Sequence, residues 1–328
     1  MNTLEIAEKE SSFNIPSHWD EMSPEQIKEC ISAWQEAVAK GDMLSAQIRC
    51  FYKIAGIRRS WKSIFLEKIM PSAWRMEKNA NIAMLSAELT AFMFRFTENA
   101  SEINYDTITN HFPVIRTKRG LDLYGPSDLL ADLTFGEFRA AIEELDEYYD
   151  LIKQNGPPVR GTSSEIVTDE QLSRFIACLY RPLRKKYKQV SRSETFDGFK
   201  REPFNRMLIE PNRMKVDSMH PVHRTIILLW FTYCVSYIQT GELVISGREI
   251  SLRRLFPRAM DKTGKKRALG AKDRSGWVSI LYAISKEGVF GDAGQTEKVG
   301  LFDILLYMYD RDLENQRLKR NMKSHSKT

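Results

Sequence analysis

The chain has 328 residues, 42% hydrophobic and 28% charged. That is the composition of a globular protein, not of a disordered, collagenous or low-complexity one. It is long enough for about two domains of ~100–200 residues each. The formal charge of +6 points on first reading to an acidic partner such as nucleic acid, but it is unevenly placed. Between Arg253 and Arg274, nine basic residues face only Asp261 and Asp273, a window of +7. From Gln316 to Thr328, five more basic residues stand without an acid, so the rest of the chain carries −6. This split favours charge-steered protein contact over a broad nucleic-acid-binding face. It also puts the first tryptic cuts within 253–274.

Residues 1–22 read as a weakly ordered lead-in, acidic and without the apolar core of a secretory signal. A helix is expected from Ser23-Pro24-Glu25-Gln26, which offers a serine cap, proline at the first helical position and an early acid. Ile27, Cys30, Ile31, Trp34 and Ala37 repeat at three and four until Gly41. Further amphipathic helices are expected over about 43–55, 61–69 and 79–96. Around Lys118-Arg119-Gly120 the pattern becomes strand-like, predicting a β-hairpin within 103–124.

Thr134-Phe135-Gly136-Glu137 has the spacing of a capping box. Phe135, Phe138, Ile142, Leu145 and Tyr149 follow as one apolar stripe, and the acids between them read as a solvated face. Gly156-Pro157-Pro158 marks a linker, and Arg181-Pro182 stops the helix that resumes after it, because proline lacks an amide donor. Residues 183–215 are basic and polar, read as short turns and helices. The longest apolar run, Thr225 to Ile238, is about 14 residues against the ~20 of a membrane span, so it reads as a buried helix in a protein with no membrane partner. Leu243-Val244-Ile245 is at most a short strand, and a last helix runs from about Lys298 past Leu313.

The expected fold is therefore mainly α, a multi-helix, bundle-like architecture with at most one or two small β-hairpins. The division expected is a lead-in at 1–22, a helical domain at 23–153, a linker at 154–168, a helical domain at 169–315 carrying the basic loop 253–274, and a basic tail at 316–328.

No catalytic constellation emerges. His220 and His223 have a spacing that two zinc ligands can share, but Asp217 is the nearest further ligand and Pro221 suggests a helix start, so the pair reads as capping or surface histidines. Gly264-Lys265-Lys266 lacks the preceding glycine and the hydroxyl residue of a phosphate loop. There is no Gly-x-Ser-x-Gly elbow, and the four cysteines form no CxxC pair, which reads as free buried thiols. The expectation is a protein that is not an enzyme, with no cofactor, no metal and no catalytic residue. Thr134 and Glu137 are expected to cap a helix. Arg181 is a contact for carbonyls or carboxylates, and with Lys262, Lys265, Lys266, Arg267 and Lys272 a candidate for partner binding.

Two phrases carry a resemblance. Leu130-Ala131-Asp132-Leu133-Thr134-Phe135-Gly136-Glu137-Phe138, then a helix, a linker and a helix ending in Leu179-Tyr180-Arg181-Pro182, resembles baseplate-hub assembly and tail-chaperone proteins of contractile-tailed phages. The stretch from Gly276-Trp277 through Leu301-Phe302-Asp303-Ile304-Leu305 is similar to proteins of Bacteroidetes phages and prophages. The resemblance spans roughly residues 120–310; the first 100 residues have no counterpart in it, and the 253–274 insert departs from it. It implies a protein that binds tail, tape-measure or baseplate proteins during virion assembly, in the bacterial host cytoplasm or in the particle. The alternative is a nucleic-acid-binding accessory protein that uses the basic loop and tail.

Overall fold

Local chemistry closes the first helices as the chain pattern requires. In a computed structural model, Ser23 Oγ accepts from the Gln26 amide while Gln26 returns to the Ser23 amide, opening α1 (Pro24–Lys40). Gly41 ends α1 in the left-handed region, where a side chain would be strained. The structure describes residues 2–6, 11–57, 71–96, 101–156, 163–194, 196, 198–245, 247–256 and 274–325. The chain is mainly α-helical, with eleven α-helices among the described residues. Four small antiparallel sheets accompany them, more than the one or two hairpins expected.

The chain divides into two compact units, Met1–Thr107 and Ile108–Thr328. The first contains the hairpin β1 (Asn2–Ile6) and β2 (Ser11–Ile15), then α1, α2 (Met43–Ile54), α3 (Ser72–Leu89), and β3 (Phe94–Phe96) paired with β4 (Ser101–Ile103). Trp19 is buried and donates its indole N–H to the Asn104 carbonyl at 2.7 Å. The Tyr105 ring meets it edge-on at 4.8 Å. The helix expected over 79–96 begins earlier, at Ser72, and stops at Leu89, because Phe94–Phe96 leaves for the sheet. The helix expected over 61–69 lies outside the described residues.

The second unit contains β5 (Val114–Arg116), β6 (Asp122–Tyr124), α4 (Phe135–Asn155), α5 (Ser163–Leu179), β7 (Arg181–Pro182), α6 (Tyr187–Val190), α7 (Ile209–Val216) and α8 (Pro221–Thr240). The hairpin β8 (Glu242–Ile245) and β9 (Arg248–Ser251) follows, then α9 (Arg274–Glu287), α10 (Ala293–Thr296) and α11 (Leu301–His325). Leu243-Val244-Ile245 is the short strand expected, and it pairs with β9 as one arm of a hairpin.

The boundary between units falls near residue 107, not at the expected linker 154–168. The helices on either side of that segment, α4 and α5, pack along each other, and Gln171 and Arg174 of α5 both donate to Glu144 of α4. The linker is also shorter than expected: α5 already begins at Ser163, with the Thr168 hydroxyl donating back to the Ser164 carbonyl. Residues 316–325 of the basic tail continue α11.

An aromatic cluster holds the second unit. Phe138 of α4 meets Trp277 of α9 edge-on at 4.9 Å, and Phe231 of α8 meets Phe175 of α5 at 5.0 Å. Edge-to-face pairs of this kind add about 0.5–1.5 kcal/mol each beyond the area they bury. The apolar run 225–238 lies within α8, with Ile226, Trp230, Phe231, Cys234, Val235 and Ile238 buried. No helix among the described residues is long and apolar enough to cross a membrane.

Candidate functional site

The capping box at Thr134 is the natural starting point. Thr134 Oγ1 accepts from the Glu137 amide at 3.2 Å, and Glu137 Oε2 accepts from the Thr134 amide at 3.1 Å. A cap on a free helix sits in water. Here it is enclosed: Thr134 bridges to Gly300, and the Phe135 and Gly136 amides donate to the Val299 and Glu297 carbonyls, both at 2.8 Å. A Cβ on Gly136 would lie 3.0 Å from the Glu297 backbone, so the glycine lets the two segments approach.

Because Glu137 is buried, it has a second task. Its side chain is 5% exposed and accepts from Arg181, 44 residues away, and from Arg201 Nη2 at 3.3 Å. Arg181 is 2% exposed. Its remaining donors go to the Glu202 carbonyl at 2.7 Å and the Cys178 carbonyl at 2.5 Å, and the Phe204 ring covers its guanidinium at 5.5 Å. Arg201 binds the Asp132 carboxylate, and the Asp132 carbonyl at 2.9 Å. Burial pulls the Arg181 guanidinium below its usual range, and the Glu137 charge opposes that pull.

Tyr180 stands beside Arg181 in the chain and bonds elsewhere. Its hydroxyl donates to the Phe112 carbonyl at 2.9 Å, and its ring lies against Gly125, where a Cβ would come within 2.4 Å. Arg181–Pro182 is also more than a helix stop. It forms β7 and pairs with Leu123 and Tyr124 of β6.

The two phrases that carry the resemblance thus close on one buried charge node. Arg181, Arg201 and Glu137 are buried and only Asp132 reaches solvent, so the chemistry of the node is scaffolding: two cations and two carboxylates neutralised in place. This corrects one expectation. Arg181 contacts carbonyls and a carboxylate of its own chain, and is too buried to meet a partner. Lys262, Lys265, Lys266, Arg267 and Lys272, like most of the loop 253–274, lie outside the described residues.

Sequence reasoning found the cap but missed Arg201 and Asp132. The only local signal for Arg201 is its frame, Phe199-Lys200-Arg201-Glu202-Pro203-Phe204, an arginine set among aromatic residues.

His220 caps α8, its Nδ1 accepting from the Val222 amide at 3.3 Å. No group of three His, Cys, Asp or Glu able to hold a metal occurs among the described residues. The four cysteines are buried and outside any disulfide, with burial raising the Cys178 and Cys234 thiols well above their usual range. Prominent acids of α4 are tied to cations: Glu143 to Arg139 and Arg206, Glu144 to Arg174. Comparison with protein-family models, with curated proteins and with solved structures finds no match to this chain.

Proposed function

We propose that the chain is a non-catalytic protein of contractile-tailed phage assembly. It binds tail, tape-measure or baseplate proteins in the host cytoplasm, as an assembly chaperone or as a baseplate component. The observation that carries this reading is the convergence of its two resembling phrases. Thr134 and Glu137 come from one and Arg181 from the other, and they are bonded through one charge node centred on Glu137.

The binding mechanism proposed is protection of an apolar partner segment. Large apolar side chains stand in solvent on α3, where Trp74, Met76 and Met84 are exposed, and in the second unit at Met207 and Met214. Methionine suits such a surface, since its unbranched thioether adapts to different partners. The experiment is co-expression with the neighbouring tail genes followed by affinity capture. Recovery of a tail, tape-measure or baseplate protein in stoichiometric amount is expected. Capture of none of them, with the chain itself soluble and folded, rejects the reading.

A further inference from the structure

Between the two buried arginines the chain makes an excursion that the assembly reading leaves unused. Residues 183–200 hold six cations, Arg184, Lys185, Lys186, Lys188, Arg192 and Lys200, against only Glu194 and Asp197. Lys185, Lys186, Lys188, Arg192 and Lys200 are exposed, and among the described residues no carboxylate pairs with them.

The excursion is held firmly at its base. Leu183 and Arg201 form an antiparallel bridge, the Arg184 amide donates to the Lys200 carbonyl at 2.9 Å, and the Glu202 amide donates to the Pro182 carbonyl at 2.9 Å. Directly below, Arg181 and Arg201 are anchored in the Glu137 node. Within the excursion, α6 is entered through Lys186 in the left-handed region (φ 54°), and the Tyr187 and Phe196 rings meet edge-on at 5.9 Å. The cations therefore project from a turn whose base is tied by backbone hydrogen bonds, which lowers the entropy lost when they bind a ligand.

We propose that this excursion binds the phosphodiester backbone of nucleic acid. Three observations favour phosphate over an acidic protein. Four of the six cations are lysines, which are depleted in protein–protein interfaces and serve as point charges toward phosphate. Leu183 is the large aliphatic residue exposed here, too little for the apolar core of a protein interface. The half-buried Tyr187 and Phe196 rings lie among the cations, the mixture that backbone-tracking surfaces use. This proposal is independent of the assembly reading, and its test uses the purified full chain alone.

The test is fluorescence anisotropy with mixed-sequence 25-mers, one duplex DNA and one single-stranded DNA, between 50 and 200 mM salt. With about four phosphates neutralised, affinity for the duplex falls roughly 100-fold over that range. Lys185→Gln, Lys188→Gln, Arg192→Gln and Lys200→Gln, made together at exposed positions, are expected to leave the melting temperature unchanged. They should reduce the salt slope by about 4. The charge-preserving set Lys185→Arg, Lys188→Arg and Lys200→Arg retains binding.

Binding of either oligonucleotide that depends on these four residues supports the proposal, and the two arms distinguish duplex from single strand. Absence of binding to both at 50 mM salt overturns it. So does binding that survives the four-fold variant but is lost in Arg317→Gln, Lys319→Gln, Arg320→Gln and Lys323→Gln, since the site would then be the end of α11. Loss of a captured acidic protein by the four-fold variant, with no oligonucleotide bound by the parent, assigns the excursion to protein contact and also overturns it.

Discussion

Replacing Glu137 with glutamine removes one negative charge and leaves every neighbour in place. The consequence follows from burial. The Arg181 and Arg201 side chains are 3% and 4% exposed, and Glu137 is the carboxylate they share. Removing one partner of a buried pair costs about 3–5 kcal/mol, because the remaining charge stays enclosed without compensation. Asp132 still serves Arg201, but among the described residues Glu137 alone is a carboxylate partner of Arg181, so a figure near 4 kcal/mol is expected. For a unit of 150–250 residues each kcal/mol shifts the melting temperature by about 2–4 °C. The transition of the second unit should therefore fall by roughly 8–16 °C in calorimetry. Asp132→Asn, whose side chain is 26% exposed, should lower it by only about 2–4 °C, for a loss near 1 kcal/mol. Adding Arg181→Met to Glu137→Gln removes the stranded cation, so the double variant should be more stable than the sum of the single losses by at least about 1 kcal/mol. A fall below 2 °C for Glu137→Gln, or strict additivity in the cycle, refutes the reasoning.

Gly125→Ala drives a methyl group into the Tyr180 ring, and a loss of about 1–3 kcal/mol is expected in chemical denaturation. An unchanged midpoint would mean that the ring can move away freely. Leu129 and Leu130 both take positive φ, 52° and 62°, a conformation that costs a non-glycine residue roughly 1 kcal/mol. Leu129→Gly should thus be less destabilising than Leu129→Ala although it deletes more of the side chain, and the reverse order in thermal melts removes the strain argument. The Ser17 backbone N–H, 2.7 Å from Glu21 Oε2, is the main reason the Glu21 carboxyl is lowered from 4.5 to about 2. A lowered carboxyl stabilises the fold above its unfolded value and loses that contribution as pH falls through the folded one. The stability gap between the parent and Glu21→Gln should accordingly close between pH 4.5 and about 2; a gap constant with pH contradicts the assignment.

Much of the helical plan was legible in the chain because its signals are local. Ser23-Pro24 and Thr134 through Glu137 place caps within four residues, and Gly41 carries the left-handed exit, so nothing distant is needed to read them. Boundaries were lost where a distant partner overrode the local pattern. Phe94–Phe96 fits the end of a helix until Ser101–Ile103 is there to pair with it. Arg181–Pro182 reads as a stop until β6 takes it as a neighbour. The candidate partner-binding role of Arg181 failed for the same reason, since an arginine after a helix looks exposed unless a carboxylate 44 residues away is folded onto it.

Local spacing along the chain was enough to establish the mainly helical class, the cap at Thr134 and the uneven distribution of charge. Packing of distant segments turned that cap into the centre of a charge node and hung a cationic excursion from it. A capping bond spans three residues and is set by backbone geometry. An ion pair across 44 or 64 residues exists only once the aromatic core has brought α4, the end of α5 and the segment around Arg201 together and excluded the water that would otherwise solvate each charge.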